Sequence, residues 1–86
     1  MSALSHTLSP TVVIRAARGS DGPALRRLAA LDSAELPTGS LLVAEADDEM
    51  VAALSLDTGE KVADPFRRTS DVVDLLAYRA RRLRAS

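Results

Sequence analysis

An 86-residue chain is the length of one small domain, and nearly half of its residues are apolar, so it can build a core but has little room to enclose a substrate cavity. It has no Cys and a single His, His6, which excludes disulfides, thiolate metal sites and cysteine nucleophiles and leaves little for zinc. The net charge of −1 hides an asymmetry: residues 1–65 carry five basic and ten acidic groups (−5), whereas residues 66–86 carry six Arg and two Asp (+4).

Residues 1–10, MSALSHTLSP, read as a flexible leader, followed by one domain over 11–86. The leader has no basic start and no long apolar run, so it does not read as a signal peptide. No stretch approaches the ~20 apolar residues that a spanning helix needs. The expected location is the cytoplasm.

Thr11 to Ala16 is short and β-branched and predicts a first strand. Gly19 breaks it. Ser20-Asp21-Gly22-Pro23 then predicts a helix start, with Ser20 as cap, Asp21 at the positive end of the dipole and Pro23 in the first turn. The helix runs to Leu31 or Asp32 with Leu25, Leu28, Ala29 and, beyond its end, Leu36 as its apolar stripe. Pro37 and Gly39 stop it.

Ser40 to Ala46 and Glu49 to Leu56 predict a hairpin turning on Asp47-Asp48. In regular register Leu41, Val43 and Glu45 share a face with Met50, Ala52 and Leu54, and Leu42, Ala44 and Ala46 share the other with Val51 and Ala53. Both faces are apolar, so each needs a helix over it. Asp57 to Glu60 is a turn, and Lys61 to Ala63 is a short edge strand that ends at Asp64-Pro65. Thr69 or Ser70 caps a second helix, with Asp71 and Asp74 near its start. Val72, Leu75, Leu76, Ala80 and Leu83 form its stripe, and Arg79, Arg81, Arg82 and Arg84 crowd its end. The expected fold class is α/β (α+β), ordered β-α-β-β-β-α, with a mainly antiparallel sheet and a helix on each face.

That order, with Val13-Ile14-Arg15-Ala16-Ala17 and then Asp21, Leu25 and Leu28, the hairpin from Leu42 to Leu54, and Val62-Ala63-Asp64-Pro65 with Arg68, resembles the front half of the GNAT acetyltransferases. The resemblance implies an acetyl-CoA site at the start of the second helix. There the family carries Arg/Gln-x-x-Gly-x-Gly/Ala, whose glycines let backbone amides approach a pyrophosphate. Aligned from Asp64-Pro65, that motif falls on Arg68-Thr69-Ser70-Asp71-Val72-Val73, with Asp71 and Val73 at the glycine positions. A carboxylate ~4 Å from a phosphate charge costs about 4 kcal/mol at an effective dielectric of 20. That is about three powers of ten in affinity. Val73 adds a branched side chain where close approach is needed. The motif is degenerate at Arg68, Asp71 and Val73, and no cofactor is expected. The family's later strands and its late tyrosine have no counterpart, since Tyr78 falls inside the helix.

Other polar groups read as structural. Glu45, the one carboxylate inside an apolar strand, is read as solvent-facing or Arg-paired rather than as a general base. Ser20, Thr69 and Ser70 are caps rather than nucleophiles, having no His in the domain body to activate them. Asp47, Asp48 and Glu49 make a polar turn rather than a calcium loop. His6 has no assigned role. Three functions stay open. The one carried forward is a non-catalytic interaction or regulatory module, binding an unknown protein or self-associating through edge strand 61–63. The second is an acetyl-CoA-dependent N-acetyltransferase completed by dimerisation or a partner chain. The third is a nucleic-acid or membrane-surface binder using the patch Arg79, Arg81, Arg82 and Arg84.

Overall fold

The computed structural model describes residues 11–85; the leader and His6 lie outside the described residues. The elements are β1 (Val12–Ala16), a 3-10 turn (Gly19–Asp21), α1 (Gly22–Leu31), β2 (Leu41–Ala46), β3 (Glu49–Ser55), β4 (Lys61–Ala63) and α2 (Ser70–Ala85). The strands form one sheet in the order β1-β2-β3-β4, antiparallel throughout. This is the expected α+β order, with strand ends within one residue of those read from the sequence.

Local chemistry explains the turns. Asp47 and Asp48 both take positive φ, 53° and 70°, which is the twist a two-residue hairpin demands. Pro23 sits in the first turn of α1, where its missing N–H costs nothing. Ser20 is not the cap that the sequence predicts. It lies within the 3-10 turn, and the carboxylate of Asp21 instead accepts the Arg18 N–H at 2.7 Å.

α1 packs on β3 and β4 on one side of the sheet, and α2 packs on β3 and β2 on the other. Leu42, Ala44, Ala46, Val51, Ala52 and Leu54 meet Val72, Leu76 and Ala80 of α2. Leu41, Val43, Met50, Ala53 and Val62 meet Leu25 and Leu28 of α1. This corrects the expected register. Glu45 pairs with Met50 but Ala44 pairs with Ala52, so Val51 is an extra residue in β3. After this bulge Ala52, Ala53 and Leu54 change sides relative to regular alternation.

The helix stripes are narrower than expected. Among the described side chains of α2, those buried are Val72, Leu76 and Ala80, while Leu75 and Leu83 are each 48% exposed. Leu75 sits off the stripe, and Leu83 falls one turn past the buried Ala80. Leu36 is also exposed, in the coil after α1.

One polar knot ties the α1–β2 connection to the β3–β4 turn. The Ser55 hydroxyl, fully buried, donates to the Thr38 carbonyl at 2.7 Å and accepts the N–H groups of Asp57 and Thr58. The Asp57 carboxylate accepts the Ser40 N–H at 2.9 Å. Gly39 takes a positive φ of 89°, and a Cβ there would collide with that carboxylate.

Candidate functional site

Three places on the molecule gather chemistry-bearing side chains. The first is the start of α2. Val73 N–H donates to the Thr69 carbonyl at 2.8 Å, so the helical ladder begins at Thr69. Arg68 and Asp71 are exposed there, and Val72 is buried. Val73 turns toward the sheet and packs against the α2-side core. Val73 is thus partly buried against the interior, and Asp71 is the exposed carboxylate of this first turn.

The second place is an ion cluster on the α1 side of β1 and β2. The Arg15 guanidinium donates to both carboxylate oxygens of Asp21, at 2.8 and 2.9 Å, and to Glu45 Oε2 at 3.1 Å. Register explains Glu45, since β1 pairs Val13 with Glu45, beside Arg15. The short β1–α1 link brings Asp21 back over the same strand. Asp21 is buried, and the hydrogen bonds from Arg15 and then from the Arg18 amide hold its carboxyl well below the usual carboxylate range. The same contacts, Asp21 first and Glu45 second, push Arg15 above its ordinary value. The cluster is therefore a closed set of charges. Glu45 is the Arg-paired strand residue that its surroundings predicted. Arg15 and Asp21 carried no such expectation. The readable signal was an arginine inside a β-branched strand, a place where an unpaired charge is costly.

The third place is the C-terminal half of α2. Arg79, Arg81, Arg82 and Arg84 are all exposed, as are Leu75, Tyr78 and Leu83. The guanidinium carbons of Arg81 and Arg82 lie 6.0 and 5.9 Å from the Tyr78 ring centroid, and Arg82 also donates to the Tyr78 hydroxyl at 3.1 Å. Tyr78 thus gathers two arginines about its ring.

The remaining expected residues sit in structural settings. Asp47 accepts the Thr11 N–H through its carboxylate, and Glu49 pairs with Arg67. Among the described residues no group of three or more His, Cys, Asp or Glu could hold a metal ion. An open depression of about 460 Å³ is lined by Ala34, Glu35, Pro37, Gly59, Glu60 and Lys61, away from all three places. No helix among the described residues is long and apolar enough to cross a membrane.

The element order is the one that the GNAT resemblance implies. Compared with models of protein families, with curated proteins and with solved structures, the chain finds no match.

Proposed function

We propose that this domain is a protein-interaction module rather than a catalyst, and that it grips an acidic, partly apolar partner with the C-terminal half of α2. The observation that carries the reading is the juxtaposition of exposed Leu75, Tyr78 and Leu83 with Arg79, Arg81, Arg82 and Arg84 on one helix. Mixed arginine and aromatic surface of this kind is what protein contacts favour. A long polyanion fits less well. Residues 1–65 carry −5, so a nucleic acid or anionic vesicle reaching past the helix meets repulsion. A short acidic amphipathic helix need touch only α2.

The direct test offers the full chain three probes at physiological salt: an amphipathic Glu/Leu helical peptide, a single-stranded oligonucleotide and phosphatidylserine vesicles. The peptide is expected to bind, and the combined replacement of Arg79, Arg81, Arg82 and Arg84 by Gln is expected to abolish that binding while the circular dichroism stays unchanged. Binding to oligonucleotide or vesicles with no response to the peptide would overturn the reading.

The element order favours a second reading, an acetyl-CoA-dependent N-acetyltransferase site completed by another chain. Against it stands Asp71 in the first turn of α2, where a diphosphate would need open amides. Calorimetric titration with acetyl-CoA decides between the two. No binding tighter than millimolar is expected, and micromolar binding would restore the catalytic reading.

A further inference from the structure

The two edges of the sheet are finished differently. At β4, Ser55 N–H donates to the Glu60 carbonyl and Asp64 N–H to the Val51 carbonyl, so antiparallel alternation turns the amides of Lys61 and Ala63 outward. The Asp32 carboxylate accepts the Ala63 N–H at 3.2 Å, and Lys61 puts a charge on the same edge. Capping and charge are standard protections of a sheet edge. The edge strand 61–63, read from the sequence as a self-association site, is thus partly closed by its own chain.

Among the described residues, the β1 edge is left more open. Ala17 N–H donates to the Leu41 carbonyl and Asp47 N–H to the Thr11 carbonyl, which fixes the odd-numbered residues of β1 as those bonded to β2. The N–H and C=O groups of Val12, Ile14 and Ala16 therefore point away from the sheet. Among the described residues, the one bond to any of them is from Arg15 to the Ala16 carbonyl. The strand has neither Pro nor Lys, and its one charge, Arg15, is already held by Asp21 and Glu45.

We infer that the β1 edge is a self-association surface on which a second copy of this chain pairs antiparallel about Ile14, joining two four-stranded sheets into one. The strand is complementary to itself in that arrangement. Ile14 meets Ile14 of the second copy and Val12 meets its Ala16, so each outward amide finds an outward carbonyl. Val13, 46% exposed, comes to lie opposite Arg15 of the other copy, whose methylenes can cover it while its guanidinium keeps its own carboxylates. No two unpaired like charges are brought together along the strand, and a net charge of −1 gives little long-range repulsion between copies. A single short strand pair is a small interface, so the dimer is expected at roughly micromolar affinity or weaker. This surface is separate from the arginines of α2.

The test is sedimentation equilibrium on the full chain from about 5 to 500 µM, with amide exchange measured at both ends of that range. A reversible monomer–dimer equilibrium is expected, and exchange at Val12, Ile14 and Ala16 should slow as concentration rises. Ile14→Pro removes an outward donor and no bond within the sheet, a position where an edge strand accepts proline. It should leave a folded monomer. Should that variant lose its fold, a synthetic chain carrying N-methyl-Ile14 deletes the same donor. The quadruple Gln variant of α2 should dimerise as the parent does. A strict monomer at the highest concentration overturns the inference, as does a dimer that persists in either folded Ile14 variant. Concentration-independent protection of Val12, Ile14 and Ala16 also overturns it, because the edge is then occupied within one chain.

Discussion

On its α2 side the sheet is closed by hydrocarbon alone, with Leu42, Ala44, Ala46, Val51, Ala52 and Leu54 under Val72, Leu76 and Ala80. On the other side α1 is ten residues long and packs on β3 and β4, and over β1 and β2 the layer is completed by Arg15, Asp21 and Glu45. The difference teaches how a small domain covers a two-faced sheet when one helix is short. Arginine brings both a long apolar stem and a charge. The charge is tolerated because two carboxylates are delivered to it, one by strand register and one by the turn into α1. One layer then depends on proton concentration and the other does not.

The strongest way to break this contrast is in the hydrocarbon layer. Leu76 is fully buried, and Leu76→Ala is expected to cost about 3 kcal/mol in urea unfolding. That is a large share of the stability of a domain this size. The loss should be the same at pH 7 and pH 3, and a strong pH dependence would contradict the purely apolar description.

Next comes Arg15→Met, which keeps the stem and deletes the charge. At neutral pH it should cost about 2 kcal/mol, the worth of charge-assisted hydrogen bonds whose partners are left behind. The sign of its pH dependence follows from Asp21, whose carboxyl is depressed in the folded state by Arg15 and the Arg18 amide. A depressed carboxyl contributes stability that is present above its unfolded value and is lost as pH falls. Wild type should therefore weaken below about pH 4, the unfolded aspartate range, and the gap to Arg15→Met should narrow there. A gap constant from pH 7 to pH 2 would assign the loss to packing.

The smallest effect separates the two carboxylates. Glu45 makes one bond to Arg15 and is more exposed than Asp21. Glu45→Gln is expected to cost about 0.5 kcal/mol and to fade in high salt. A loss equal to that of Asp21→Asn would make the two carboxylates equivalent members of the cluster.

Much of the fold was legible because its punctuation is chemical. The β-branched run at 12–14, Pro23, Asp47-Asp48, Pro37 and Asp64-Pro65 each limit the backbone locally, and the element order follows from them. The bulge was not legible, since Met50 to Leu54 is apolar throughout and offers no polar residue to mark which side each faces. The Ser20 cap failed because a tertiary partner intervened: Asp21, stationed over β1 by Arg15, accepts the Arg18 amide and closes a 3-10 turn that takes in Ser20. Leu75 and Leu83 have helical spacing, but spacing does not reveal where the sheet beneath them stops. In the candidate surface, the arginine crowding was plain in the sequence, whereas the stacking of Arg81 and Arg82 on Tyr78 needed the helix to be built.

The extra residue in β3 sets where this chain tolerates length variation. Val51 and Ala52 point to the same layer, with Met50 and Ala53 on the opposite one. Loss of Val51 would restore strict two-residue parity and leave each other side chain of β3 in its present environment. Loss of Ala53 would send Leu54 across to the wrong helix. Shortening is thus neutral in phase at the slipped step and costly one or two residues beyond it.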